Sequence, residues 1–571
     1  MKQPRCIKLK EDKEMYKKMF SQWIIFVTIL CVACAGMTTG CSSQETKAIS
    51  FKANISMSDD QANPPVNDAI QTITLDFNKD INVKTLPGAV KLFRIDSDGK
   101  ATEEISSVKI DEDNPRQVRI NNQKMTGFTG GEEYKIEIST SLQSSAGLSM
   151  KSDFTGYFAT NYKFSLSGIK ALNDVRSSIV VMSDIHLGVD DKYAEINKNR
   201  PALIDFLNQV KTSPNIKELV IAGDFLDEWF LPMSYAMPDS QAVFWDSIAA
   251  NNQGVVNAFN AIIKEGNIKV TYIPGNHDLL VTRADIERIF PGINQARDSV
   301  QGLGTYVTGS HSEIAIEHGH RYNFFCAPDP ISNKSITNSS SSITPPGYFF
   351  TRIATSSIIE GRPKSANIFP EMTANKENAS QYNYYLYYQA WKAILLTLPV
   401  NEGLSDKVIK TNIDGYKADY SISDLLPVQN AGGVIDVNLY KGIQDSWDQR
   451  QTINGVKVSI PVKDAILGAA SAAATDEQAK KQYFNVDAAK KIVVFGHSHV
   501  ARVMAMTNLN DQKTIYANTG TWIDGVKGSP VMTFVVITPA KSGSAIETVN
   551  LYQYSADKSI TQWCEAQAIT D

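Results

Sequence analysis

Ser178-Ile179-Val180-Val181-Met182-Ser183-Asp184-Ile185-His186 is the stretch whose reading decides the fold. Its apolar run is too short for a buried helix and is rich in β-branched residues. It reads as a strand buried on both faces. An acid and an imidazole follow its C-terminal end. The arrangement recurs along the chain. Leu219-Val220-Ile221-Ala222 runs into Gly223-Asp224-Phe225-Leu226-Asp227. Val270-Thr271-Tyr272-Ile273 runs into Gly275-Asn276-His277-Asp278, and Ile492-Val493-Val494-Phe495 into Gly496-His497-Ser498-His499. Between the first strands lie helical stripes: Leu203, Phe206, Leu207 and Val210, then Val255, Val256, Phe259, Ile262 and Ile263, stopped by Gly266. Strand alternating with helix predicts an α/β fold. In such sheets ligands bind beyond the strand C-termini, where loops from distant parts of the chain converge.

The chain has seven histidines, and four of them stand in these motifs. His318 and His320 share Glu317-His318-Gly319-His320, directly after the apolar run Ile314-Ala315-Ile316. Carboxylate and amide oxygens with neutral imidazoles suit Mn, Fe or Zn. Two ions about 3.5–4 Å apart need a shared ligand, and an Asp carboxylate or a water can bridge. Such a pair clamps the attacking and leaving oxygens of a phosphoryl displacement and acidifies a water, so no Ser or Cys nucleophile is required. Taken singly, each motif has a plainer reading. Gly223-Asp224 and Gly275-Asn276 are ordinary turn pairs, and His186 fits a core histidine.

In this order, the set Asp-x-His, Gly-Asp-x-x-Asp, Gly-Asn-His-Asp, His and Gly-His-x-His resembles the calcineurin-like metallophosphoesterase superfamily. The resemblance spans roughly residues 175–325 and 486–555. It implies a two-sheet αββα sandwich. It also implies that Asp184, His186 and His499 hold one divalent metal ion, that Asn276, His318 and His497 hold a second, and that Asp224 bridges the two. His277 would sit over the substrate phosphate, and Asp227 would orient it. The reaction implied is hydrolysis of a phosphate monoester or diester by metal-bound hydroxide. For the second ion His318 competes with His320, and its place directly after the strand favours it. His311 has no assigned role. Asn518-Thr519-Gly520-Thr521-Trp522 shapes the rim, and Arg321 either contacts phosphate or forms a surface salt bridge. Asp227 is followed by Glu228-Trp229, where protein Ser/Thr phosphatases of the family have Arg-Gly. The run Gly-Asp-Phe-Leu-Asp-Glu-Trp is closer to the branch cleaving UDP-diacylglucosamine. An exported enzyme would not meet that cytoplasmic substrate, so the match informs lineage more than reaction. A pyrophosphatase acting on a lipid- or sugar-linked nucleotide stays open through the aromatic run from Tyr382 to Trp391. A surface-binding lipoprotein with a vestigial catalytic domain is a further alternative.

Further outward, the N-terminus has a basic segment up to Lys18, an apolar stretch from Trp23 to Ala35, and Gly40-Cys41-Ser42-Ser43. This plan is that of a secretory signal. Its end resembles a bacterial lipobox, which makes residues 1–40 a lipoprotein signal peptide and Cys41 the lipidated residue, with Cys34 as the alternative. Met15 or Met19 is an alternative start. The expected protein is exported and membrane-anchored in the periplasm or at the cell surface. Residues 41–50 read as a tether, and residues 51–165 as an all-β segment. Thr72-Ile73-Thr74-Leu75-Asp76-Phe77 and Tyr134-Lys135-Ile136-Glu137-Ile138 alternate at period two, with turn signals such as Ser97-Asp98-Gly99 between runs. This segment resembles a bacterial immunoglobulin-like sandwich. The phosphoesterase-like domain is expected over residues 175–555, with an insertion at about 326–486. The insertion's aromatic run, Tyr382, Tyr384, Tyr385, Tyr387, Tyr388 and Trp391, reads either as the wall of an apolar or sugar site or as a core helix. Ala-rich helices are expected from Asp464 to Lys481, and strands at Met532–Ile537 and Val549–Tyr552 are expected to complete the second sheet.

Net charge is −5, and the first 40 residues carry seven basic and three acidic side chains, which leaves −9 for the body. That balance, without a basic stripe, argues against a nucleic-acid partner. The expected partner is a phosphorylated small molecule or lipid. Only Cys326 and Cys564 lie beyond Cys41, so at most one disulfide is open to the body.

Overall fold

The computed structural model describes residues 53–58, 72–95, 100–104, 106–111, 114–122, 133–150, 152–159 and 176–570, apart from 310, 340, 360–368, 527–528, 540–545 and 557. The expected signal peptide, Cys41 and the expected tether lie outside the described residues, as does the side chain of Cys564. Cys326 is a free thiol.

Two antiparallel four-stranded sheets form the N-terminal sandwich. In spatial order, one holds Ala53–Ser58, Thr72–Phe77, Gln117–Asn122 and Ser106–Ile110. The other holds Ala101–Glu103, Val90–Ile95, Glu133–Ile138 and Phe154–Ala159. Period-two alternation sends Leu75, Phe77, Val118 and Ile120 inward against Leu92, Tyr134, Ile136 and Ile138.

Two further sheets face each other in the C-terminal part. The larger has the order Asn294–Gln295, Lys269–Ile273, Ile216–Ala222, Ser178–Met182, Thr533–Thr538, Ile546–Tyr554, Ile560–Thr570. Its first four strands are parallel. The smaller has the order Thr305–Thr308, His311–Glu317, Ile492–Phe495, Lys513–Asn518, Arg502–Thr507. Alternate residues of the opening strand serve two cores. Val180 and Met182 pack under the helices Arg200–Thr212 and Gln253–Glu265, against Leu203, Phe206, Val255 and Phe259. Ile179 and Val181 point the other way, into the seam with Ile314, Ile316, Ile492, Val494 and Ile515. On the outer face of the smaller sheet, Phe495 and Tyr516 meet Ala479, Tyr483 and Phe484. The layers are therefore helix, sheet, sheet, helix. Burying a Val or Ile side chain contributes about 1.5–3 kcal/mol, so strands apolar on both faces are rigid mounts for the loops they end in.

One expectation is corrected. Thr533–Thr538 and Ile546–Tyr554 extend the first sheet, not the second. Thr533–Thr538 pairs antiparallel with Ser178–Met182, placing Val535 beside Val181. The free edge of that strand needs a partner apolar on both faces. Val535 and Ile537 supply the seam, while Phe534 and Val536 face the helices. The sheet then runs on through Ile560–Thr570.

The long stretch between His318 and His497 folds as several helices, including Pro346–Ile359, Ala379–Leu395, Val462–Gly468 and Ala472–Ala479, joined by loops and two short antiparallel ribbons. The aromatic run belongs to Ala379–Leu395, where Tyr384, Tyr387, Tyr388 and Trp391 are buried. Tyr387 stacks on Phe325, seven residues past His318, with ring centres 5.6 Å apart. The run is a core helix and not a substrate wall. Among the described residues, no helix is long and apolar enough to cross a membrane.

Candidate metal centre

Five strand-end loops meet at one edge of the seam. Loops 184–187 and 223–227 zip together: Asp184 N donates to Gly223 O, Ile185 N and His186 N to Asp224 O, and Leu187 N to Phe225 O. Asp184, His186, Asp224, His497 and His499 all have positive φ, between 50° and 67°. Each such residue costs about 1–2 kcal/mol. Five of them in one cluster mark stored strain held by the surrounding bonds. Gly223 (φ 88°) has no room for a side chain, since a Cβ there would stand 2.5 Å from the His318 ring. A Cβ on Gly275 would stand 2.2 Å from Asp224.

These loops bring together every residue expected at the metals. Asp184, His186, Asp224 and His499 each offer a donor atom within 4.8 Å of the others, and Asp224, His318 and His497 form a second such group. His499 Nε2 lies 3.1 Å from Asp184 Oδ1 and 3.1 Å from His186 Nε2. His318 Nε2 lies 3.1 Å from both Asp224 Oδ2 and Asn276 Oδ1, and His497 Nδ1 lies 2.8 Å from Asn276 Oδ1. Asp224 thus stands in both groups. The outer nitrogens of two histidines are already spoken for. His186 Nδ1 faces Asp227 Oδ2 at 2.8 Å, and His318 Nδ1 faces the Ala222 carbonyl at 2.8 Å. An N–H donated there leaves the inner nitrogen's lone pair aimed at the cluster, the tautomer a metal needs. The donor set fits divalent metal.

His320 does not join. Its Nε2 donates to Gly302 O at 3.0 Å and its Nδ1 has no partner, while burial and then His318 push its pKa well below the ordinary range. Arg321 is neither at the phosphate position nor on the surface. It is buried, paired to Glu317 at 2.8 Å and Asp298 at 2.6 Å, and donates to Asn454 O. Its guanidinium is consumed in holding the smaller sheet to the insertion. His311 faces Glu313, away from the cluster.

His277 stands at the mouth, with its side chain 13% exposed where His186 is sealed at 0%. Its Nδ1 is 2.8 Å from Asp227 Oδ1, and its backbone N–H donates to Asp224 Oδ1 at 2.8 Å. Burial lowers its pKa, but the Asp227 and Asp224 carboxylates outweigh that and raise it. Asp227 also accepts from the backbone N–H groups of Trp229 and Phe230, both at 2.8 Å. Asn518 braces the other side, donating to Gly496 O at 2.7 Å, and Ser183 bonds Asp184 and Thr519.

Sequence reasoning missed three residues. Glu195, buried beside the cluster, has Oε2 3.3 Å from His186 Nδ1. It comes from an irregular loop pinned by Asp524, which accepts from the backbone of 197–199. No motif or period announces it. Asp278 accepts from Gly275 N at 2.6 Å and Phe225 N at 2.8 Å, tying two site loops together. Its position directly after His277 was the available signal. The Trp229 ring covers His277 at 4.8 Å and 30°.

In the metal-free protein, burial lowers the pKa of His318, but the Asp224 carboxylate more than offsets this and raises it to about 9. A folded value above the ordinary 6.5 stabilises the protein below that pH and loses its contribution as pH rises through about 9. A cation must displace this proton. His186, another proposed ligand, is also raised well above the ordinary value, burial being outweighed by its neighbouring carboxylates. Affinity for divalent metal is therefore expected to rise at least about tenfold per pH unit from neutrality towards pH 9. Calorimetric titration in two buffers of different ionisation enthalpy reads the protons released. Release of less than one proton per metal pair contradicts the assignment.

A strand-end cluster of carboxylates and imidazoles on a two-sheet sandwich is a candidate divalent-metal centre. Residues 177–346 match the family model for calcineurin-like phosphoesterase, and residues 47–165 match that for the bacterial Ig-like domain. The two matches lie one after the other along the chain, the Ig-like one first. His497 and His499 lie outside the matched residues and reach the site through the fold. No curated protein matches the chain. Among solved structures, the N-terminal part of the bacterial S-layer protein SbsC is similar at 17% identity, over 21% of this chain and 25% of that one, with a TM-score of 0.16. The chain thus spans about a quarter of that protein, and at this score the likeness carries no argument.

Proposed function

We propose that the chain is an exported dinuclear phosphoesterase that hydrolyses a phosphate monoester or diester outside the cytoplasm. The observation that carries this reading is the pair of donor groups sharing Asp224. Asp184, His186 and His499 would hold one ion, and Asn276, His318 and His497 the other. A divalent pair, Mn, Fe or Zn, supplies electrostatic stabilisation of the phosphoryl group in flight and lowers the pKa of a coordinated water. The chain's own residues do the rest. His277, kept protonated by Asp227 and open to the mouth, places its proton on the leaving oxygen. Asp227 holds two imidazoles at once, one per carboxylate oxygen. The signal sequence and its Cys41 support lipid anchoring, and the bacterial Ig-like domain supports a place outside the cytoplasm. Glu228-Trp229 after Asp227 supports a second reading, a pyrophosphatase of a lipid- or sugar-linked nucleotide. Metal analysis, and a panel of aryl, alkyl and nucleotide-linked phosphates assayed with added Mn, Zn or Fe, tests both. Protein that binds no divalent metal and leaves every ester intact sinks them. Preference for the pyrophosphate over simple esters selects the second.

A further inference from the structure

The helix Pro346–Ile359 of the insertion grips the loop that follows the Asp224 motif. Arg352 is fully buried, yet among the described residues it faces no carboxylate within ion-pair distance. Its guanidinium instead donates to a row of carbonyls: Leu231 (3.1 Å), Pro232 (2.8 Å), Met233 (3.1 Å) and Tyr235 (2.8 Å), with Tyr348 Oη as a further partner. Ser356 on the same helix accepts from Met233 N at 2.7 Å. A planar fork of five donors spans this row of carbonyls, where a lysine ammonium offers only three donors from a single point. The gripped segment begins two residues after Trp229, whose ring covers His277. The start of the same helix presses on the Trp229 ring. A Cβ on Gly347 would stand 2.8 Å from the ring's Cζ3 and 2.8 Å from the Phe325 carbonyl. Helix, Trp229 and His277 therefore form a continuous stack, with Asp227 bonded to both the Trp229 backbone and the His277 ring.

Resting on the reading of His277 as proton donor, we infer that the insertion helix sets the place of that imidazole, with Arg352 and Trp229 as positioning residues. The insertion tunes catalysis through the proton donor, which the stack contacts directly. It reaches the proposed metal ligands only indirectly, through the Asp227 oxygen that faces His186 and the His277 backbone N–H that faces Asp224. A leaving group that departs readily needs little help from an acid, while a poor one depends on it. Displacing the stack therefore penalises poor leaving groups selectively, which loss of folded protein does not do.

The test uses the full metal-loaded chain with para-nitrophenyl phosphate and n-butyl phosphate. Arg352→Lys and Gly347→Ala are each expected to lower the ratio of butyl to nitrophenyl turnover by about tenfold, with bound metal equal to wild type. Arg352→Lys disturbs the grip and Gly347→Ala the press, so if one variant does not fold the other decides. A folded, metal-replete variant with the wild-type ratio overturns the inference. Loss of metal in step with loss of turnover overturns it too, because the insertion would then act through the metal ligands. Wild type without metal-dependent hydrolysis removes the underlying reading, and the inference with it. An active wild type with unchanged ratios in the variants removes the inference alone.

Discussion

Asp224→Asn is expected to lower turnover of an aryl phosphate by on the order of a thousandfold, about 4 kcal/mol of transition-state stabilisation. The substitution is conservative in shape. Asn keeps an oxygen for the His277 backbone N–H, 2.8 Å from Asp224 Oδ1, so the loop geometry survives. It removes the anionic oxygen that faces His318 Nε2 at 3.1 Å and His186 Nε2 at 3.7 Å, the two sides on which cations would sit. Asp184 is then the only carboxylate left in the two donor groups. Changing even an outer partner of a metal ligand costs about 10–100-fold in affinity. Removal of the shared ligand acts on both positions, so metal content should fall below two equivalents in the same preparation. Metal analysis beside steady-state assays checks both halves. Full activity with two bound ions in the variant would refute the bridging role.

Much of this centre was legible in the sequence because its parts are local. Each motif follows a short apolar strand, and the rule that α/β sites lie beyond strand C-termini brings the five motifs together without coordinates. The residue types carried a second signal. Asp, Asn and His tolerate the left-handed region better than other side chains, and Asp184, His186, Asp224, His497 and His499 occupy it. What remained hidden was long-range. Thr533–Thr538 reads as a strand but does not announce which sheet has a free edge. Glu195 enters from an irregular loop fixed by Asp524, some 330 residues further along, and no periodicity records that contact. The tyrosines of Ala379–Leu395 look alike whether they line a cavity or a core, and only the stack of Tyr387 on Phe325 decides it. Arg321 and Arg352 are both buried. One answers carboxylates and the other carbonyls, a distinction no composition shows.

His277→Gln should separate acid catalysis from metal binding. The inner nitrogens of the proposed ligands do not rely on the His277 ring, so two ions should remain bound. The loss falls on the proton donor. For n-butyl phosphate the expected decrease is on the order of 10²–10³-fold, within the range for general acid catalysis, and for para-nitrophenyl phosphate about tenfold or less. The pH profile follows from the same carboxylates. Burial lowers the pKa of His277, and the Asp227 and Asp224 carboxylates more than offset that and raise it in the metal-free site, while bound divalent cations would act against them. As pH rises through the pKa the ring has in the loaded enzyme the donor is lost, and wild-type turnover of the butyl ester should fall on the alkaline side. Gln cannot titrate, so this alkaline limb should vanish in the variant. Asp227→Asn should shift the limb to lower pH, because it removes the nearest charge holding the proton in place. A variant lacking His277 that keeps both the limb and the wild-type leaving-group dependence would assign the proton to another group, and the buried Glu195 beside His186 would be the first to test.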